Sequence, residues 1–254
     1  MLGKMITYDV RATSRRMLPL IAVFLGLTVL SILMWAIPNT LGLAAVVITF
    51  LWIMTGTFSL FVGGYSLVRY FYSKMYGNEA YLTHTLPVKA WVHVAAKTIT
   101  TVLWVLALSA IVALAAVAFI FATGINNSIT ELLNDPSILF YIRQIQINGS
   151  NLALLLTEAT VSVIATIHLV YAAIAIGQQW SDHPIGGACI AGLLMTYIRN
   201  LVSTFTINGM NNGMDTFGPA FSRIMWISLA FAVIQIIIYD VIIWFLNEKR
   251  LNLQ

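Results

Sequence analysis

Thr101-Val-Leu-Trp-Val-Leu-Ala-Leu-Ser-Ala-Ile-Val-Ala-Leu-Ala-Ala-Val-Ala-Phe-Ile-Phe-Ala-Thr123 decides the fold. None of its side chains ionises. A helix rises about 1.5 Å per residue, so a run of this length covers the roughly 30 Å hydrocarbon core of a bilayer. Polar and apolar residues do not alternate along it, which excludes a strand of a membrane barrel. The stretch therefore reads as a transmembrane helix, and upstream it extends to Val92. Five further stretches meet the same criterion: Met17 to Ile37, Leu43 to Val68, Leu152 to Ile176, Ile185 to Phe205 and Ile224 to Leu246. The spans from Val92 and from Leu152 exceed the core thickness, which tilt or extension into the aqueous phase absorbs.

The composition agrees with six spans. Of 254 residues 60% are apolar and 9% charged, against about 25% charged in soluble domains. Too few ionisable groups are present to coat a water-facing globule, and the mean hydropathy is +0.90. The expected fold is all-α, a single polytopic transmembrane domain over residues 1–254. The first span is too long for the apolar region of a cleavable signal peptide, so none is expected. Cys189, the one cysteine, lies in an apolar stretch and reads as a packing residue.

Orientation follows the basic residues. Of thirteen Lys and Arg, all but Arg143, Arg199 and Arg223 flank one side: Lys4, Arg11, Arg15 and Arg16 before the first span, Arg69, Lys74, Lys89 and Lys97 around the second connection, Lys249 and Arg250 at the end. Both termini are therefore expected in the cytoplasm and Gly124 to Ser150 outside. The pI near 9.3 follows from this topology and does not require nucleic acid. Asn126 and Asn148 begin Asn-x-Ser matches that matter only on a eukaryotic secretory route. Residues 1–16 mix Met5, Ile6, Tyr8 and Val10 with basic groups, which fits either a helix lying against lipid headgroups or a short basic tail that sets topology. Asn208 to Asp215, rich in Asn and Gly, reads as a surface loop or a re-entrant hairpin.

Catalytic signatures are missing from the sequence. His84, His93, His168 and His183 are dispersed without metal-ligand spacing, and there is no Gly-x-Ser-x-Gly elbow. A phosphate-binding Gly-x-x-x-x-Gly-Lys-Ser/Thr loop is also lacking, so energy-consuming work would need nucleotide held by another chain. Ionisable groups inside spans are costly and need partners or water. Glu158 and Arg199 fall in the outer third of adjacent spans and are expected either to pair or to snorkel separately to the outer headgroups. Asp240 and Lys97 share the inner third, where snorkelling to the cytoplasmic surface competes with pairing. His168, near mid-membrane, reads as a neutral hydrogen-bonding residue.

The connection from Arg69 to Lys89 is more than a polar linker. Tyr81, Leu82 and Thr85 fall at helical spacing, Gly77 can end the preceding helix, and Pro87 ends a new one. Asn78 to Leu86 thus reads as a short amphipathic helix across the cytoplasmic base. It would dock either into a partner's groove or against its own bundle and headgroups.

The run Gly77-Asn-Glu-Ala-Tyr-Leu-Thr-His-Thr-Leu-Pro-Val88 resembles the first cytoplasmic loop of six-helix permease subunits of bacterial ABC exporters, the type 2 permease superfamily. In Gram-positive bacteria this loop often reads Gly-Asp-Glu-Gly-Tyr-Leu-Thr-x-Thr-Leu-Pro-Val; Asn78 and Ala80 depart from it. Glu248-Lys-Arg-Leu-Asn-Leu253 is similar to the tail of these permeases. The resemblance implies a coupling helix seated in a cleft of a cytoplasmic ATPase. Glu79, Tyr81, Leu82, Thr83, Leu86 and Pro87 would be its contact residues. It further implies that ATP and Mg are held by that partner, that this chain carries no cofactor and is not an enzyme, and that two permease chains pair as a homodimer or heterodimer in the bacterial cell membrane. An interfacial helix at the N-terminus and a re-entrant segment between the last two spans are implied as well. The apolar spans favour an amphipathic cargo such as a peptide, an antimicrobial or a lipid-like compound. Two competing readings are a lipid-modifying membrane enzyme using Glu158, His168 and Asp240, and a non-transporting sensor or immunity subunit.

Overall fold

The computed structural model describes residues 2–36, 42–77, 80, 90–123, 131, 134–136, 149–180, 182–211 and 217–249. Among these are six helices and no strand: α1 (Leu2–Ala36), α2 (Gly42–Met75), α3 (Ala90–Thr123), α4 (Gly149–Gly177), α5 (Pro184–Asn211) and α6 (Phe217–Lys249). Each is long and apolar enough to cross a membrane, and the chain is a multi-pass membrane protein. Large apolar side chains point outward as a rule, with Phe61 at 74% and Leu193 at 73% exposure. This inverts the soluble pattern and suits contact with lipid.

Two expected boundaries differ. Residues 2–16 are not a separate element, because α1 runs unbroken for 35 residues, about 52 Å of helix. Pro19 lies inside the helix without ending it, and Asp9 and Thr13 are buried, so this segment is docked on protein. At the other place, α5 continues through Asn208 to Asn211 where a loop or hairpin is expected. Residues 212–215 of that stretch, and Asn126 and Asn148, lie outside the described residues.

Packing divides the chain into two compact units, Met1–Tyr70 with Ile99–Ile138, and Phe71–Thr98 with Leu139–Gln254. The first unit is knit by one repeated device. The Trp52 indole N–H donates to Thr28 Oγ1 at 2.9 Å, and that hydroxyl donates to the Phe24 carbonyl at 2.8 Å. Trp104 does the same to Thr13, which donates to the Asp9 carbonyl, and Trp35 to Thr49, which donates to the Ala45 carbonyl. Each relay joins two helices and leaves no indole hydrogen bare, which matters where no water can serve. Around the middle relay, Trp52 stacks between Phe24 and Phe119, with centroids 6.2 and 4.7 Å away. Nearer the N-terminus of α1, Met17, Leu67 and Leu108 form a second core. A Cβ at Gly63 would come within 2.7 Å of Leu108 Cδ1, so a side chain there would displace the tip of Leu108 in this core.

In the second unit α4 packs against both α5 and α6. A Cβ on Gly177 would collide with the backbone nitrogen of Ala188 and come within 2.6 Å of the Pro184 carbonyl. The α4–α5 turn therefore closes only with glycine there.

Thr28→Val keeps shape but strands the Trp52 N–H in an apolar site. We expect a loss of about 1 kcal/mol in reversible unfolding from mixed micelles, with Thr28→Ser near wild type.

Candidate functional site

The helices α2 and α3 lead into and out of the connection between them. α2 overruns the expected span end and stops at Met75, where the Tyr76 and Gly77 N–H groups both reach back to the Tyr72 carbonyl, at 2.9 and 3.0 Å. This bonding closes the last turn. A Cβ on Gly77 would lie 3.0 Å from the Ser73 carbonyl oxygen, which favours glycine just past the helix end. Ala80, the one described residue between Gly77 and Ala90, is helical, buried, and donates its N–H to the Gly77 carbonyl at 2.8 Å. Glu79, Tyr81, Leu82, Thr83, Leu86 and Pro87 lie outside the described residues.

What leads into the connection is firmly held. Phe71 and Met75 are fully buried, and Phe71 stacks face to face on Tyr171 of α4 at 3.6 Å and 5°. Tyr76 donates its phenol to Asn247 Oδ1 of α6 at 2.6 Å. Burial pushes the Tyr76 phenol well above its ordinary pKa, the bond to Asn247 opposing this in part. The phenol thus stays a donor throughout the physiological pH range. Beyond the connection, His93, Ala96, Lys97 and Thr100 line one buried stripe of α3. Lys97, 4% exposed, does not snorkel to the surface as expected. Its place on the face of α3 shared with His93 and Thr100 turns it inward.

A row of polar side chains on α4 forms the other cluster. Glu158 accepts from Ser228 of α6 at 2.7 Å, Thr166 accepts from Arg199 of α5 at 3.0 Å, and His168 Nε2 lies 3.2 Å from Asp240 Oδ1 of α6. The pairings 158 with 228 and 168 with 240 both ascend, so α4 and α6 run parallel. Of the two alternatives for Glu158 and Arg199, pairing does not occur. Arg199 meets α4 at Thr166, eight residues and about 12 Å along the helix from Glu158. Asp240 likewise pairs with His168 rather than Lys97. The expectation that Glu158, His168 and Asp240 sit at separate depths holds for Glu158 but fails for the other two.

Sequence reasoning missed Phe71, Tyr76, Tyr171 and Asn247 as anchors. A signal existed in α6, where buried Gln235, Tyr239, Ile243 and Asn247 recur every fourth residue and mark a packing seam. Among the described residues no three His, Cys, Asp or Glu side chains converge on a metal site. No family model matches the chain, nor does any curated protein or solved structure.

Tyr76→Phe leaves the Asn247 carbonyl oxygen buried without this donor. We expect a destabilisation of about 1 to 3 kcal/mol, partly recovered in Tyr76→Phe/Asn247→Leu, where neither polar group remains; unfolding in detergent measures both.

Proposed function

We propose that this chain is the transmembrane permease subunit of an ATP-driven ABC exporter, and that residues 78–86 are the coupling helix seated in a separate cytoplasmic ATPase. ATP and Mg belong to that ATPase, and the functional permease contains a second permease chain, identical or related. The observation that carries the reading is the anchoring of the connection between α2 and α3. Its leading end is stacked on α4 and hydrogen-bonded to α6, and the loop sequence resembles the coupling loop of such permeases. A push from below delivered to residues 78–86 would meet buried aromatic contacts rather than a slack tether. Rigid contact of this kind is what transmission between sites needs.

In this reading both termini are cytoplasmic, and the exposed Arg11, Arg15 and Arg16 of α1 face the anionic headgroups of the bacterial inner leaflet. The outward apolar faces and few ionisable groups fit an amphipathic cargo better than a small polar solute.

The contact of His168 with Asp240 gives a lipid-modifying enzyme its best support, and the geometry weighs against it. A catalytic imidazole turns one nitrogen to the carboxylate and the other to the nucleophile or substrate. Here Nδ1 lies 2.8 Å from the Ile164 carbonyl, so neither nitrogen is left to act.

A cytoplasmic ABC ATPase from the same cell should co-purify with this chain in mild detergent. Glu79→Lys with Leu82→Glu should lower the retained ATPase about tenfold, a change of about 1.4 kcal/mol, while the permease stays assembled. Undiminished co-purification together with unimpaired ATP-dependent transport would overturn the assignment of the coupling helix.

A further inference from the structure

The contact of His168 with Asp240 is not chemically complete as heavy atoms alone. The Ile164 carbonyl can only accept a hydrogen bond, so His168 Nδ1, 2.8 Å away, must carry a hydrogen. In a neutral ring Nε2 is then a bare lone pair. That lone pair would face the oxygen of Asp240 at 3.2 Å, and an ionised carboxylate also offers lone pairs only. Two such atoms do not rest this close in a weakly polar interior without a hydrogen between them.

We propose that His168 and Asp240 form a proton-binding site within the membrane domain. One proton, on Nε2 or on the Asp240 carboxyl, ties α4 to α6. When the proton leaves, lone pair meets carboxylate and the seam between these two parallel helices is pushed apart at that level. The two partners have different surroundings: the His168 side chain is 8% exposed and that of Asp240 51%. The proton therefore enters and leaves by way of Asp240. An accessible carboxylate at this depth needs water or a polar partner, so the exposed side of Asp240 faces an aqueous path or another polar surface rather than lipid tails.

The surrounding ionisable groups are accounted for by element. From α5, Arg199 is bonded to Thr166 and acts electrostatically on Tyr239, next to Asp240 on α6. On α4 itself, Glu158 is bonded to Ser228, about 15 Å away along the helix. From the end of α2, Tyr76 is bonded to Asn247. His93 and Lys97 on α3 belong to the same compact unit and have interactions of their own. Among the described residues, the groups acting on the His168 ring are Asp240 and the Ile164 carbonyl. The site does not rest on the permease reading, since it needs no ATPase and no cargo.

The test uses the full chain, labelled with ¹⁵N-histidine, in lipid nanodiscs. The His168 signal is identified by its loss in His168→Gln. If that variant does not assemble, it is the signal that remains when His84, His93 and His183 are all glutamine. We expect Nδ1 to stay protonated throughout. As the pH is raised a single proton should leave the pair, seen as a shift of Nε2, and Asp240→Asn should move the midpoint. A wild-type Nε2 that stays bare with Asp240 ionised at every pH would overturn the proposal. So would a proton that never leaves, or a titration unchanged by Asp240→Asn.

Discussion

Hydrocarbon offers no water to a stranded N–H or hydroxyl, so each must find an acceptor on the chain itself. The rest of the structure follows from how this demand is met. In the first unit tryptophan and threonine meet it together. A threonine on a helix can hand its hydrogen to the carbonyl four residues back while its oxygen stays open to a neighbouring helix. Thr13, Thr28 and Thr49 all do this, each receiving an indole. The one polar atom of a large ring is thereby satisfied, fully inside the protein for Trp52, and the ring's position along the partner helix is fixed to within a residue. Leucine contacts alone would not set that register, because lipid tails are as apolar as leucine.

The second unit meets the same demand with ionisable groups. The polar row of α4 sends Glu158 and His168 to α6 and Thr166 to α5. Helical geometry allows the division. Residues 158 and 168 are ten apart, about 2.8 turns, and stand about 80° apart around the axis; residue 166 is about 160° from 168, so those two side chains leave α4 on nearly opposite sides. A helix held from two sides in this way has little freedom to rotate, and its closing turn at Gly177 leaves no room for a side chain against α5.

That geometry also shows why part of the molecule was readable from sequence and part was not. Length and hydropathy mark six spans where six long apolar helices stand, since the bilayer imposes one thickness on all of them, although α1, α2, α5 and α6 run well past the expected limits. The partners of Glu158, Arg199, Asp240 and Lys97 stay open in the sequence for a related reason. Depth estimated from the ends of a span is good to about a turn, but the choice of partner turns on rotation, about 100° per residue. Separating Thr166 from Glu158 as the acceptor for Arg199 needs the rotation and the depth together. Residues 2–16 continue into the first span as one helix. Charge density marks where lipid headgroups lie, not where a helix ends, and α1 carries its basic residues straight across.

The anchors beneath the bundle were overlooked because their value comes from convergence. Tyr70, Phe71 and Tyr72 are visible in sequence as an aromatic patch, yet only one of them lies on Tyr171. Tyr76 looks like part of the loop until Asn247, 171 residues away, is brought to it. Their combination has a mechanical consequence. Gly77 ends α2 just past both contacts, so the chain gains a bend immediately below a clamped segment and nowhere within it. The stacked ring and the neutral phenol tie that segment to α4 and α6. A hydrogen bond that does not titrate keeps this joint closed at any physiological pH. The exchangeable proton between the same two helices resides elsewhere, at His168 and Asp240.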